Sequence, residues 1–232
     1  RAIFEAGPGA VAVGLSQSVV ATVAGAALAA AGGCKVRALV LLAGPLGAAA
    51  QQPGFWVDTD IMIGKAFHDV DDGLALMLLM AQAPQRMRGI SLVNDVEHGA
   101  RVTRRILGWY PGHDVPVYKG ANNKLNGSLI TSASRALTAA LQRERLVVFV
   151  LGPATNVAGV LARHPQLADS VVALVACAGR SPGAVFQVPG GKRHLPDYNY
   201  ELDPYSFQVL AASGAPLVCA GYQASEPLFF PL

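Results

Sequence analysis

From residue 53 onward, short apolar runs alternate with longer segments in which apolar residues recur every three to four positions. The short runs are typical of buried strands, and the longer segments of helices that pack on a sheet. The predicted strands are FWVDTD (55–60), RGISLVN (88–94), DVPVYKG (114–120), RLVVFVLG (145–152), SVVALVACAG (170–179) and APLVCAG (215–221). The predicted helices are 70–82, 97–110, 132–144, 153–165 and 203–214.

This repeated strand–helix order predicts an α/β fold: a mostly parallel, Rossmann-like sheet flanked by helices. The strands are continuous apolar runs, as expected for a sheet covered on both faces. We expect a serine cap on helix 132–144 and Pro153 in the first turn of the next helix. Binding sites in such sheets lie at the carboxyl ends of the strands. The polar and glycine residues at those ends are Asp58, Asp60, Asn94, Gly152 and Gly179.

Composition allows a large core and argues against some partners. The length of 232 residues is enough for one large or two small domains. Hydrophobic residues make up 52% of the chain, which allows a large buried core. The net charge is +3 and the basic residues are scattered, so we expect no nucleic-acid partner. The three cysteines have no zinc-ligand spacing.

The first fifty residues differ from the rest. Residues 10–33 carry no charge and are dominated by Ala, Gly and Val. Lys35 and Arg37 then precede an apolar stretch that ends in three alanines at 48–50, the order of basic, apolar and small residues in a secretory signal. Two alternatives are a transmembrane helix over residues 10–33 and an extension without function.

We therefore predict an apolar extension at 1–52, with a signal-like segment at about 35–50, and an α/β domain at 53–232. If the segment is a working signal, the protein is exported to the periplasm or outside the cell. Otherwise it is cytoplasmic. We expect no membrane contact after signal removal.

Five carboxylates lie within fifteen residues of a chain that is only 14% charged: Asp58, Asp60, Asp69, Asp71 and Asp72, here called the aspartate cluster. Asp58 and Asp60 are two apart at a strand end and point to one side. Asp71 and Asp72 open the next helix, where the dipole favours anions. Converging carboxylates repel each other unless a cation lies among them, and oxygen-only ligands suit Ca²⁺ or Mg²⁺.

The aspartate cluster has three other interpretations. Asp71 could be a helix cap and the others solvated. An EF-hand loop requires acidic residues at alternate positions before its glycine, which "DVDDG" does not provide. A haloacid dehalogenase-like phosphatase would use Asp58 of "DTD" as nucleophile, but "DVDDGLAL" does not fit that class.

Several motifs in order resemble the nucleoside hydrolases of the inosine–uridine-preferring type. They are "VDTD", "DDGLAL", "GISLVND", "DVPVYKGAN", "VFVLGPATNVAGVLARHPQLA" and "DYNYELDPYSFQVLAASGAPL", and the resemblance covers residues 55–226. The loop "IMIGKAFHDV" is longer than its counterpart in the family. Either Asp69 or Asp71 could thus fill the first position of the family's helix-start pair, and alignment on "DDGLAL" favours Asp71.

The resemblance implies Ca²⁺-dependent hydrolysis of the N-glycosidic bond of ribonucleosides, giving base and ribose. It implies Asp60 as metal ligand and as the general base that activates a metal-bound water. Asp72 and the backbone carbonyl of Leu151 would be further ligands, with Asp58 as ligand or support.

The same resemblance implies the substrate contacts. Asp71 and Asn199 match ribose-binding positions, and Asp197 stands where the family has Glu. Asn94, or else Asp95, is a further candidate for a ribose contact. We expect Asn156 to support packing and loop geometry rather than to touch substrate.

Chains of this family continue further and supply another Asp ligand, and in some members a His that protonates the leaving base. No residue here matches that Asp, so we expect the C-terminal part of the family domain to be missing. Membership of the family therefore does not by itself imply that these 232 residues are active. The expected partner is a nucleoside or N-riboside, with a homo-oligomer possible. The alternatives are the phosphatase above and an exported, non-catalytic module that binds a sugar or nucleoside.

Overall fold

The computed structural model describes residues 11–13, 52–66, 68–122, 130–180, 183–184, 186–187 and 194–221. The signal-like segment predicted at 35–50 lies outside this part, as does most of the stretch 10–33. Within the described part, no helix is both long and apolar enough to span a bilayer.

The main sheet has seven strands in the described residues, and every neighbouring pair is parallel. The strands are β1 (Val11–Val13), β2 (Gly54–Thr59), β3 (Met87–Leu92), β4 (Val117–Lys119), β5 (Leu146–Val150), β6 (Val171–Ala176) and β9 (Leu217–Ala220). Their order is β1-β9-β6-β5-β2-β3-β4. Two short strands, β7 (Phe186–Gln187) and β8 (His194–Leu195), form a separate antiparallel pair.

Helices connect the strands: α1 (Asp71–Gln82), α2 (Val96–Leu107), α3 (Ser132–Arg143), α4 (Thr155–Arg163), α5 (Tyr198–Leu202) and α6 (Pro204–Ala212). Short 3₁₀ turns at Pro84–Arg86 and Pro165–Ser170 precede β3 and β6. The predicted α/β class with a mostly parallel sheet flanked by helices is confirmed.

Two predicted helix starts are wrong in detail. The cap of α3 is Thr131, whose Oγ1 accepts a hydrogen bond from the Ser134 amide at 3.0 Å, while Ser134 Oγ accepts one from the Thr131 amide at 2.8 Å. This reciprocal pair satisfies two amides that the helix itself leaves unpaired. Pro153 precedes α4, which begins at Thr155.

The core divides between the two faces of the sheet, because successive strand side chains point to opposite sides. Phe55, Val57 and Phe149 pack with α1 and α2 on one face. Trp56 and Val148 pack with α3, α4 and α6 on the other. Burial on both faces explains why the strands are continuous apolar runs.

The strand order places the aspartate cluster at the centre of the sheet. Strand β2 pairs with β3 on one side and β5 on the other, with Asp58 opposite Ser91 and Val150. The carboxyl ends of these three parallel strands, and the start of α1, therefore meet at one edge.

Candidate active site

Hydrogen bonds between the strands continue past their ends and hold the site's backbone together. The Leu151 amide donates to the Asp58 carbonyl at 2.8 Å, and the Val93 amide donates to the Thr59 carbonyl at 3.0 Å. The residues that follow, Asp60 and Asn94, are thereby brought to the same edge of the sheet.

Asp58 is fully buried in a network with Trp56, Ser91 and Asn156, here called the Asp58 network. Asp58 Oδ1 accepts hydrogen bonds from Ser91 Oγ and from Asn156 Nδ2, the latter at 2.8 Å, and Trp56 Nε1 donates to Ser91 Oγ at 2.8 Å. Asp58 Oδ2 is buried and has no hydrogen-bond partner among the described residues. Burial raises the pKa of Asp58 to about 7, although the two side-chain hydrogen bonds lower it.

Asn156, buried in the first turn of α4, connects this network to the neighbouring strands. Its Nδ2 also donates to the Leu92 carbonyl at 3.0 Å, and its Oδ1 accepts from the Ala121 amide at 2.9 Å. A Cβ on Gly120 would lie 2.3 Å from the Asn156 amide group, so only glycine fits there. These contacts agree with the predicted role of Asn156 in packing and loop geometry.

Asp60 lies at the edge itself, against the backbone of the β5–α4 loop. A Cβ on Gly152 would come within 2.6 Å of Asp60 Oδ1. Burial raises the pKa of Asp60 to about 7, the nearby Asp69 raises it further, and a hydrogen bond from the Asn94 side chain lowers it. Asn94 has a φ of 57°, a conformation that Asn tolerates better than most residues. Its side chain thus supports Asp60.

Asp71 and Asp72 are the first two residues of α1, and the position before them is Val70. Asp71 is thus inside the helix rather than its cap. Asp72 Oδ2 accepts a hydrogen bond from Thr59 Oγ1, which ties α1 to the end of β2. Burial, and then the charge of Asp60, raise the pKa of Asp72 well above its usual value. Burial and the charges of Asp72 and Asp69 raise the pKa of Asp71 to about 8.

The Leu151 carbonyl, predicted as a metal ligand, lies at the same edge and is contacted by Asn199. The Asn199 Nδ2 donates to the carbonyls of Leu151 at 2.7 Å and Cys177 at 2.9 Å. The Asn199 side chain thus bridges the ends of β5 and β6 through its nitrogen.

Asp197 caps α5, a helix that the sequence analysis did not predict. Its Oδ1 accepts from the Tyr200 amide at 3.2 Å and its Oδ2 from the Gly179 amide at 2.6 Å. Burial raises the pKa of Asp197, against the lowering effect of these two bonds. Both carboxylate oxygens therefore fix the loop after β6 to α5, and the predicted ribose contact stays a prediction.

Sequence reasoning missed two hydroxyl partners of the aspartates, Ser91 and Thr59. A polar residue inside an apolar run, such as Ser91 in "GISLVN", is the signal that could have identified one of them. The sequence analysis also named Asp95 as an alternative to Asn94 for a ribose contact. Asp95 instead caps α2, accepting from the His98 amide at 3.3 Å, and forms an ion pair with Lys65.

The donor chemistry of the site suits a hard divalent cation. Its donors are carboxylate and carbonyl oxygens, one of which, Asp58 Oδ2, is buried without a partner. Burial and the surrounding aspartates raise the pKa of Cys177, which disfavours its thiolate form. Within the described residues, no group of three or more acidic, His or Cys side chains is arranged to hold a metal ion. Binding would therefore require the carboxylates to draw together.

Solved structures with the same fold include nucleoside hydrolases and a type III effector protein. The purine-preferring ribonucleoside hydrolase from Gardnerella vaginalis has a TM-score of 0.56 at 22% identity, covering 72% of this chain and 60% of that one. The inosine-uridine preferring nucleoside hydrolase from Bacillus anthracis has a TM-score of 0.58 at 18% identity, with 76% and 68% covered. The type III effector XopQ, complexed with adenosine diphosphate ribose, has a TM-score of 0.52 at 17% identity, with 87% and 63% covered.

At these low identities the TM-scores show a shared fold and no more, and the chain spans about 60% of the length of the first of these structures. No curated protein matches the chain significantly. The family model of the inosine-uridine preferring nucleoside hydrolases matches residues 55–230, which include the whole edge described above. The chain therefore belongs to the inosine-uridine preferring nucleoside hydrolase family.

Proposed function

We propose that this edge of the sheet hydrolyses the N-glycosidic bond of ribonucleosides, giving free base and ribose. The observation that carries the proposal is Asp60, a half-buried carboxylate at the end of β2 whose pKa is raised to about 7 when no cation is bound. It is held between the Asn94 side chain and Gly152, beside Asp72. A base works best when its pKa lies near the operating pH.

In the proposed reaction, Asp60 takes a proton from the attacking water as its oxygen bonds to C1′ of the ribose. The electron pair of the C1′–N bond leaves with the nucleobase, and C1′ carries oxocarbenium character in the transition state. The nucleobase takes up a proton from solvent, and Asp60 then releases to solvent the proton that it took from the water. The hydrogen bond from Asn94 keeps the Asp60 carboxylate oriented and partly ionised near neutral pH.

We further propose that Asp58, Asp60, Asp72 and the Leu151 carbonyl hold a Ca²⁺ ion. When bound, such an ion orients a water molecule and lowers its pKa. Asp58 contributes its unpartnered Oδ2, because Oδ1 is already engaged by Ser91 and Asn156.

For the ribose, we propose Asp71, Asn94, Asn199 and Asp197 as contacts. Asp71, with a pKa of about 8, is largely protonated at neutral pH, so it can both donate to and accept from a hydroxyl. Asn199 uses its nitrogen on two carbonyls, so its oxygen is the group to accept from a hydroxyl.

The phosphatase alternative is not favoured. Asp58, which would have to be its nucleophile, is fully buried, and its Oδ1 is bonded inside the Asp58 network. A nucleoside or another N-riboside is the substrate class that we propose.

The proposal is tested by ribose release from inosine and from uridine with Ca²⁺ present. We expect Asp60→Asn to reduce kcat by about 10²- to 10⁴-fold, the usual contribution of a general base, and a chelator to reduce the rate as well. Asp169→Asn, an exposed carboxylate in the turn before β6, is the matched control and should leave the rate unchanged. Ribose release that survives both Asp60→Asn and the chelator would refute the proposal.

A further inference from the structure

The Trp56 indole lies across strand β3, on the face of the sheet that packs against α3, α4 and α6. Trp56 stands opposite Gly89 in the β2–β3 register, and a Cβ on Gly89 would lie 2.5 Å from Trp56 Cζ3. The missing side chain therefore lets the ring cross β3. The Tyr118 ring, on β4, stacks on the indole with centroids 5.7 Å apart and an interplanar angle of 12°. Trp56 is only 1% exposed, so its ring is held in one orientation.

This orientation brings the polar atom of the ring to Ser91. Trp56 Nε1 donates to Ser91 Oγ at 2.8 Å, and Ser91 Oγ donates to Asp58 Oδ1, with Ser91 directly opposite Asp58 in the register. An indole N–H can only donate, whereas a serine hydroxyl accepts and carries one proton. Ser91 therefore accepts from Trp56, and its proton is directed to Asp58. All three side chains are buried, so water does not compete for these bonds.

The contacts of Asp58 are all on one side of its carboxylate. Asn156 Nδ2 donates to Oδ1 at 2.8 Å, the same oxygen that Ser91 contacts, while the buried Oδ2 has no partner among the described residues. The Asp58 backbone is held as well, because its carbonyl accepts from the Leu151 amide at 2.8 Å. With the backbone and Oδ1 fixed, the direction of Oδ2 follows from Ser91 and Asn156.

We propose that Trp56 is a positioning residue of the candidate active site: through the Ser91 hydroxyl it orients the Asp58 carboxylate and keeps Oδ2 available to the site. The inference rests on the proposed function, in which Asp58 Oδ2 belongs to the reaction centre. Trp56 itself touches no reacting atom. The alternative is that Trp56 is a core residue alone and that Ser91 only satisfies its N–H. That role would change stability and leave the turnover of the folded protein unaffected.

The test compares ribose release from inosine by Trp56→Phe, by Ser91→Ala and by the double variant, each checked to be folded by circular dichroism. Trp56→Phe removes the N–H and keeps an aromatic ring against Tyr118. We expect each single change to lower kcat by about 3- to 10-fold with KM little altered. The double variant should be no slower than Ser91→Ala, because Trp56 acts through that hydroxyl. Trp109→Phe, the same change at a tryptophan that is 60% exposed, should leave kcat unchanged.

A second measurement needs no activity. The chain has two tryptophans, so Trp109→Phe identifies the indole N–H signal of Trp56 in a proton–nitrogen NMR spectrum. We expect Asp58→Asn to move this signal, because hydrogen bonds in a chain polarise one another, and the exposed Asp169→Asn to leave it in place.

A Trp56 signal that does not respond to Asp58→Asn would overturn the inference. So would a loss of kcat in Trp56→Phe that is equally large with and without the Ser91 hydroxyl. If the unmodified chain releases no ribose, the proposed function fails. A Trp56 signal that still responds to Asp58→Asn then supports the orientation of Asp58 by Trp56 independently of that function.

Discussion

At the scale of single residues, the feature that shapes the site most is a carboxylate without solvent contact. Asp58 Oδ1 receives two side-chain hydrogen bonds, and its Oδ2 receives none from the described residues. A buried charge is costly unless it is paired, so the Asp58 network limits this cost and fixes the direction of the free oxygen. Asn156 is its most connected member.

We predict that Asn156→Leu destabilises the protein by about 2–4 kcal/mol, because it leaves the Ala121 amide without its partner and removes one donor each from Asp58 and from the Leu92 carbonyl. Asn122→Leu is the matched control. Asn122 is exposed and accepts a single bond from the Val96 amide at 3.3 Å, so its loss should cost less than about 1 kcal/mol. Urea unfolding measures both. Equal losses in the two variants would contradict the importance of the Asp58 network.

At the scale of elements, the site depends on how closely the β5–α4 loop approaches the end of β2. Gly152 is buried there, and a Cβ at this position would lie 2.6 Å from Asp60 Oδ1 and 3.0 Å from the Asp60 amide. The absence of a side chain therefore sets the position of the Asp60 carboxylate.

Gly152→Ala should accordingly displace the Asp60 carboxylate, with a stability loss of about 1–3 kcal/mol and a much larger fractional loss of ribose release. Gly99→Ala on α2 is the control. The nearest atom to its added Cβ is Leu92 Cδ2 at 3.4 Å, and alanine favours the helix, so stability and activity should not fall. Activity that stays intact in Gly152→Ala would contradict the account of Asp60.

Elements were predictable from the sequence where burial imposes a pattern. The strand 145–152 contains β5, and 132–144 contains α3, because continuous apolar runs and helical spacing are strong signals. The short elements β7, β8 and α5 have two to five residues, too few for any period. The α3 cap was assigned to serine, and the hydroxyl beside it, on Thr131, forms the cap.

The candidate site was predictable to a similar extent. Asp58 and Asp60 were found because they end a strand, and Asp71 and Asp72 because they begin a helix. Their partners Ser91 and Thr59 were missed, as was the direct contact of Asn94 with Asp60. Such contacts depend on β2 lying between β3 and β5, and a strand's neighbours in the sheet are not encoded in any local pattern.

At the scale of the whole molecule, the centre of the sheet carries carboxylates that hold protons near neutral pH. The pKa values of Asp58 and Asp60 are about 7 and that of Asp71 is about 8, all raised chiefly by burial. A cation binds the ionised forms, so binding must release protons, and affinity must rise as the pH passes through this range. The cation site that we propose for these residues would therefore couple binding to proton release.

The most direct test of this account is calorimetric titration of Ca²⁺ into the chain at pH 6 and pH 8, in buffers of different ionisation enthalpy. We predict tighter binding at pH 8, proton release on binding at pH 6, and no binding by Asp72→Asn. An exposed control, Asp169→Asn, should behave as the unmodified protein. Binding that is independent of pH and unaffected by Asp72→Asn, or no binding by the folded protein, would contradict a cation site among these aspartates.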